Sequence, residues 1–308
     1  CSRWAPMNRD NQTNIVHHSR FVNIIGNPNV GKSTLMNALV GERLSIVTSK
    51  AQTTRHRIMG IVNGKNYQIV YSDTPGILKP NYKLQESMMN FVRSAISDAD
   101  IVLYVTDVIE KRTKNIEYLE KLNNMDVPVL LAINKIDLTN QEELEKIYNE
   151  WRELIPRAHI FPISAKEKFN LNPLFEKIVE LLPESPAWYD KDMFTDKNLR
   201  FFASEIIREK ILISYGKEIP YCTEVVIDSF KENDDIWNID AVIYVMRDSQ
   251  KGILIGKGGT ALKRVGTLAR KDMETFFEKK VFLQIFVKVN PDWREDNRKL
   301  KQFGYIQD

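Results

Sequence analysis

Gly26-Asn27-Pro28-Asn29-Val30-Gly31-Lys32-Ser33 fits the pattern GxxxxGKS and follows directly on the apolar run Phe21, Val22, Ile24 and Ile25. A strand that ends in a glycine-rich turn and opens a helix, expected here over residues 34–40, aims successive backbone N–H groups at one point, where nucleotide phosphates can sit. In that arrangement Lys32 reaches the β and γ oxygens, Ser33 holds Mg²⁺ through its hydroxyl, and Thr34 starts the helix behind the phosphates. An ordinary glycine turn is the competing explanation. The strand-to-helix setting and the GKS ending both count against it.

The chain has 308 residues, 43% of them hydrophobic, which is enough for two buried cores. With 44 Lys and Arg against 41 Asp and Glu, the net charge of +3 does not announce a nucleic-acid partner, so any basic surface must be local. Cys1 and Cys222 show neither metal-ligand spacing nor a disulfide framework. No disulfide is expected, and a reducing cytosol suits the chain. No apolar run approaches the roughly 20 residues that span a bilayer, so membrane contact is expected to be peripheral at most. Residues 1–20 are polar, lack the apolar centre of a secretory signal, and read as a disordered or partly non-native leader with Met7 as a candidate start.

Through residue 183, strand-length apolar runs alternate with helix-period segments, the pattern of a mostly parallel sheet with helices on both faces. Strands are expected at 21–25, 58–63, 67–72, 101–106, 127–133 and 159–163, and helices at 34–40, 83–97, 116–123, 142–153 and 174–181. Residues 184–198, which follow Pro183, contain Pro186, aromatics and acids without period and read as a linker. From 199 to 308 the order becomes helix (199–214), strand (223–230), strand (237–245), helices around a glycine loop, and strand (281–289). That order suits a small α+β domain.

Asn134-Lys135-Ile136-Asp137 ends the fifth of these strands, at the carboxyl edge where open parallel sheets bind ligands. The Asp137 carboxylate can accept both N1–H and the exocyclic amine of guanine, a donor pair that adenine lacks, so GTP is favoured over ATP. Simple helix capping is the alternative. Asp73-Thr74-Pro75-Gly76-Ile77 follows the third strand; Asp73 can hold Mg²⁺ through a water and Gly76 can offer its N–H to the γ-phosphate. Alone, the same residues make a good β-turn. Ser164-Ala165-Lys166 closes the set, with the Ala165 amide expected at guanine O6.

Between the phosphate loop and Asp73, residues 49–55 (SKAQTTR) are polar and sit where a mobile loop covers the nucleotide. One threonine there completes the Mg²⁺ shell; Thr54 is preferred to Thr53, although sequence does not separate adjacent hydroxyls. A segment held only while γ-phosphate and Mg²⁺ are present acts as a switch. The metal ligands are therefore Ser33, Thr54 and Asp73, and the catalytic set Lys32, Thr54 and Gly76. Well-studied sites of this kind carry a water-orienting glutamine after the DxxG glycine; here it is Ile77, so slow intrinsic turnover is expected.

In the second domain Gly256-Lys257-Gly258-Gly259 lies between two short amphipathic helices. A loop without Cβ atoms lets a nucleic-acid backbone approach closely, and the helix it opens favours phosphate. From 247 to 280 there are nine Lys and Arg against four Asp and Glu, a local +5. This basic face should add a salt-sensitive share of affinity. Lys251, Ile255, Gly256, Lys257, Gly258, Gly259, Lys263 and Arg264 are the candidate RNA contacts. A GxGxxA dinucleotide fingerprint (Gly256, Gly258, Ala261) and a plain tight turn are the alternatives. Trp188, Trp237 and Trp293 read as packing residues rather than base-stacking platforms.

Together these motifs resemble the Era family of ribosome-assembly GTPases. GNPNVGKST (26–34), KAQTTRHRI (50–58), DTPGI (73–77), NKID (134–137) and SAK (164–166) look like its nucleotide motifs in order; GILIGKGG (252–259), TALKRVGTLARKDME (260–274), VFLQIFVKV (281–289) and DWRED (292–296) look like its C-terminal KH domain of the second topological type. The resemblance implies an α/β P-loop GTPase domain over 21–183 with a mostly parallel sheet, followed by a small α+β type II KH domain over 199–308. It implies GTP/GDP and Mg²⁺ as ligands and a GTP-hydrolysing switch. The partner it implies is the 3′ end of small-subunit ribosomal RNA, in the small ribosomal subunit. Cytoplasmic location with loose contact at the inner face of the cell membrane, and a monomeric state, go with it. Arg20 departs from the small residue expected before the first strand. Two other functions remain open at this level: a GTP-dependent RNA-modification enzyme, and a constitutive RNA-binding module with a degenerate GTPase domain. The first lacks a cluster of reactive residues outside the nucleotide site, and intact Lys32, Asp73 and Asp137 argue against the second.

Overall fold

A computed structural model of the chain describes residues 16–306 other than residue 113. The first domain runs β1 (His18–Gly26), α1 (Lys32–Val40), β2 (Ile58–Asn63), β3 (Tyr67–Asp73), α2 (Lys83–Ser97), β4 (Ile101–Asp107), α3 (Ile116–Asn123), β5 (Val129–Asn134), α4 (Gln141–Leu154), β6 (His159–Pro162) and α5 (Leu171–Leu181). Its sheet has the order β2-β3-β1-β4-β5-β6, parallel throughout except for β2 on β3. Every residue of β4 and β5 is buried, as expected for central strands covered on both faces. One cover comes from α1 and α5 through Leu35, Met36, Leu174 and Ile178. The other comes from α2, α3 and α4 through Leu84, Met88, Val92, Leu119, Ile147 and Trp151. The apolar period of α2 (Leu84, Met88, Val92, Ala95) shows why one helix face goes inward.

Two expectations need correction. The leader was placed at 1–20, yet His18, Ser19 and Arg20 belong to β1 and pair with Tyr67, Gln68 and Ile69. Arg20 pairs with Asp100 at 3.3 Å and a His18 ring nitrogen meets the Leu182 carbonyl at 3.0 Å, while Ser19 Oγ is buried without a partner; residues 1–15 lie outside the described residues. The linker 184–198 is not a free tether. β2 is an edge strand with unpaired backbone groups, and the linker satisfies them: Ile61 N–H donates to the Phe194 carbonyl at 2.9 Å and Met59 N–H to Asp196 Oδ1 at 2.9 Å.

The second domain contains α6 (Leu199–Ser214), α7 (Ile219–Cys222), β7 (Glu224–Lys231), β8 (Trp237–Val245), α8 (Asp248–Ile255), α9 (Thr260–Phe277), β9 (Val281–Val289) and α10 (Asn297–Gln302). β8 pairs antiparallel with β7 and parallel with β9. Ala203, Ile207 and Ile211 of α6, Leu254 of α8, and Val265, Ala269 and Met273 of α9 close over Ile239, Ala241 and Ile243. α7 and α10 were not anticipated. At 18 residues α9 is also longer than the short helix expected. Cys222 is a free, buried thiol, and no helix among the described residues is long and apolar enough to cross a membrane.

Both domains share an interface built on the switch segment. Arg55, 1% exposed, donates to the carbonyls of Thr223 at 2.8 Å and Pro220 at 3.0 Å and pairs with Glu224 at 3.2 Å. Tyr305 Oη donates to the same carboxylate at 2.8 Å, and its ring stacks on His56 at 4.3 Å between centroids. Trp293 is fully buried beside α2, with Nε1 donating to the Cys222 carbonyl at 3.0 Å. Trp237 packs on Phe230 and Phe277, whereas Trp188 is 56% exposed and meets the edge of Phe21.

Burial, together with Lys197, Arg208 and Arg55, lowers His56 to about 3. A histidine whose pKa is depressed on folding stabilises the fold above its ordinary pKa of about 6.5, and that contribution is lost as pH falls toward the folded value. Burial pushes Glu224 the other way, up to about 7, so its contribution fades as pH rises through that value. Replacing His56 by Phe should therefore remove acid sensitivity amounting to about 2 kcal/mol between about pH 7 and pH 5. Denaturant midpoints of both proteins across that range check it, and parallel pH profiles would contradict it.

Candidate functional site

β1 delivers the phosphate loop into a cavity of about 320 Å³ lined by Pro28, Asn29, Gly31, Lys32, Ser33, Thr34, Gly76, Lys135 and the segment from Ile46 to Thr54. Gly31 has φ 95°, and a Cβ on it would lie 2.2 Å from Asn134 Nδ2. A Cβ on Gly76 would lie 2.7 Å from Pro28. Both positions require glycine because the chain passes too close for a side chain. Lys32 is 6% exposed and donates to the Asn27 carbonyl at 2.7 Å. Burial lowers its ammonium to about 8, opposed by Asp73 and Glu110.

Behind the loop, Asn27 Nδ2 donates to Glu110 Oε2 at 2.6 Å, and Thr106 Oγ1 donates to the other carboxylate oxygen at 2.5 Å. Sequence reading missed Glu110, which no motif marks.

Ser33 Oγ donates to Asp73 Oδ2 at 2.6 Å and lies 2.9 Å from Thr54 Oγ1. Asp73 Oδ1 is buried without a partner. Three hard oxygen ligands, one with an unused lone pair, fit Mg²⁺. Burial raises the Asp73 carboxyl, countered by Ser33 and Lys32, and a cation held here would favour the carboxylate and neutralise charge on β and γ oxygens. Of the adjacent hydroxyls, Thr54 comes to Ser33, while Thr53 turns away to the Lys50 carbonyl at 2.6 Å. The Ile77 side chain is buried in the core and its amide donates to the Gly26 carbonyl at 3.0 Å. Thr74 Oγ1 donates to the Ile24 carbonyl at 2.8 Å, fixing the turn.

The base side is tied to the phosphate side by hydrogen bonds. Asn134 Nδ2 donates to the Val30 carbonyl at 2.8 Å, and Lys135 Nζ to the Asn29 carbonyl at 2.5 Å and Asp107 Oδ2 at 2.6 Å. Asp137 is exposed and lies outside the lining of the cavity, with Ser164 Oγ donating to it at 2.6 Å. Ile136 N–H donates to the Ile163 carbonyl at 3.2 Å. The Ala165 amide, expected at guanine O6, donates to Asn134 Oδ1 at 2.9 Å, whose Nδ2 is committed to the Val30 carbonyl. Lys166 is 80% exposed by side chain and meets Glu167 at 3.5 Å, its stem keeping the ammonium in water.

In the second domain Gly256, Gly258 and Gly259 have φ of 75°, 60° and 75°, and no heavy atom lies within 4 Å of a Cβ built on Gly258 or Gly259. Lys257 is exposed. From this loop a groove of about 360 Å³ runs between α9 and β9, lined by Gly259, Leu262, Lys263, Gly266, Thr267, Arg270, Leu283 and Ile285. Lys251 and Arg264 are absent from that lining, Arg264 because the groove face of α9 repeats at three to four residues from Lys263. Ile255 packs against the domain core. Arg270 and Gly266 were missed. A glycine inside a helix costs about 1 kcal/mol against alanine and was the available signal; here it leaves room beside Ile285.

A family model described as 50S ribosome-binding GTPase matches residues 21–135, and one described as KH domain matches residues 218–294. GTPase Era of Syntrophus aciditrophicus (strain SB) is 45% identical over 294 residues, covering 94% of this chain and 96% of that relative. A solved structure of Era in complex with MgGDPNP and nucleotides 1506–1542 of 16S ribosomal RNA is similar with TM-score 0.90 and 36% identity, over 94% of this chain and all (100%) of that one. A variant of Era from Aquifex aeolicus bound to GDP and AlF4⁻ has the same TM-score, 0.90, with 36% identity and the same coverage, 94% and 100%.

Proposed function

The chain belongs to the Era family of GTPases, and we propose that it acts in small ribosomal subunit assembly, holding the 3′ end of 16S-type ribosomal RNA and timing its release by GTP hydrolysis. The protein is a GTPase, converting GTP to GDP and phosphate. Within this reading Lys32 binds the terminal phosphates, Ser33, Asp73 and Thr54 hold Mg²⁺, and Asn134 with Asp137 select guanine. The groove from Gly256–Gly259 along α9 takes single-stranded RNA through backbone contact and the cations Lys257, Lys263 and Arg270. Ile77 supplies no group that orients water, so turnover is slow until a partner or the switch segment improves the site. As part of the same proposal, the protein works as a monomer in the cytoplasm, with at most peripheral contact to the inner face of the cell membrane.

The observation that carries this reading is the segment from Gln52 to His56. Thr54 stands at the Ser33–Asp73 pair while Arg55 and His56 are embedded in the second domain. One short stretch therefore joins the nucleotide site to the second domain. Crosslinking in cells followed by RNA sequencing tests the partner: enrichment of the small-subunit RNA 3′ end is expected, and enrichment elsewhere would overturn the assignment.

A further inference from the structure

Arg208 of α6 lies in the second domain yet reaches the nucleotide side of the interface. Its side chain is 3% exposed. Nε donates to Glu205 Oε1 at 2.7 Å and Nη2 to Glu205 Oε2 at 2.8 Å, a two-point pairing that leaves the remaining N–H groups in fixed directions. Those groups donate to the carbonyls of Gln52, at 3.3 Å from Nη1, and of Thr53, from Nη2. Thr54 is the next residue, and on its other side Arg55 is held by Thr223, Pro220 and Glu224. The backbone that carries the Thr54 hydroxyl to Ser33 and Asp73 is thus clamped before and after by the RNA-binding domain. Residues 49–55, six polar residues and Ala51, have no regular structure of their own, and the alignment they carry depends on fractions of an ångström.

We propose that Arg208 is a positioning residue for GTP hydrolysis: held by Glu205, it fixes the Gln52 and Thr53 carbonyls and so sets Thr54 in the metal site from the second domain. The inference rests on the GTPase reading above and adds that this GTPase site is completed across the domain interface. Phosphate and base binding use α1, the phosphate loop and β5, none of which Arg208 touches. Its loss should therefore lower kcat and spare the GTP KM. Lysine is the informative replacement, because a single ammonium cannot hold a carboxylate and two carbonyls in one plane. A control for domain docking alone is Arg43, which follows α1 and pairs with Glu209 of α6 and with Asp272 of α9, away from the switch backbone.

The experiment uses the full chain and compares Arg208→Lys and Arg43→Ala for kcat, GTP KM, RNA affinity without nucleotide, and amide hydrogen exchange across residues 50–56. Arg208→Lys is expected to lose about tenfold in kcat with KM within about twofold, and to exchange faster across that segment even without nucleotide. Arg43→Ala should keep kcat within about twofold. If Arg208→Lys fails to fold, the neutral pair Glu205→Gln with Arg208→Gln avoids an orphaned buried charge and is read in the same way. Unchanged kcat and exchange in a folded Arg208 variant would overturn the proposal, as would an equal kcat loss in Arg43→Ala, which would mean docking alone matters. Absence of RNA binding by the unaltered protein would instead refute the RNA reading and leave the kcat comparison standing.

Discussion

Asp137→Asn is expected to weaken GTP binding by about three orders of magnitude, roughly 4 kcal/mol for one lost charge-assisted hydrogen bond and one donor left facing a donor. The exposed Asp137 carboxylate presents two acceptors to the two adjacent donors of guanine, whereas the amide presents one acceptor and one N–H directed at a donor. Ser164 Oγ, 2.6 Å from Asp137 Oδ1, can still donate to the amide oxygen, so the loop should stay in place. Xanthine carries an oxygen where guanine carries its amine, and the same variant should bind xanthosine diphosphate more tightly than GDP. Titration with fluorescent forms of both nucleotides measures the exchange of preference. A variant that keeps its GDP affinity would show that Asp137 merely caps the turn after β5.

Replacing Lys257 and Gly258 together by aspartate should remove RNA binding, a loss of at least about a hundredfold at fixed moderate salt, while GTP affinity stays within about twofold. Two negative charges then stand where a phosphate backbone must pass. The loop tolerates the side chains sterically, since nothing lies within 4 Å of a Cβ on Gly258, although φ 60° there costs an L-residue about 1 kcal/mol. Anisotropy with an RNA of the small-subunit 3′ end reads the first quantity and nucleotide titration the second. Loss of both would mean an unfolded chain, and retained RNA affinity would move the RNA site away from the glycine loop.

Much of the nucleotide site is legible in the residues because phosphate and guanine recognition depends on short contiguous stretches at strand ends. Gly26–Ser33, Asp73–Gly76 and Asn134–Asp137 each start at the carboxyl end of a strand and bring Ser33, Gly76 and Lys135 to the cavity, and helices α2, α3 and α6 match the periodic segments residue for residue. What escaped reading depends on pairs distant in sequence. Arg55 looks like one more polar switch residue until Glu224 and Tyr305 enclose it, and Arg208 looks like a solvated helix cation until Glu205 and the Gln52 and Thr53 carbonyls take its donors. The linker looked free because its partner is the unpaired edge of β2 rather than any pattern of its own.

We propose that nucleotide state and RNA grip are one equilibrium, joined through residues 52–56 and the second domain on which they dock. By linkage, whatever factor the nucleotide imposes on RNA affinity, RNA imposes on nucleotide affinity. The most direct measurement is the affinity of the full chain for a small-subunit 3′-end RNA, taken at one salt concentration with a non-hydrolysable GTP analogue and with GDP. A difference of at least about fivefold between the two states is expected, the lower end of ordinary allosteric coupling. Identical affinities in both states would contradict it.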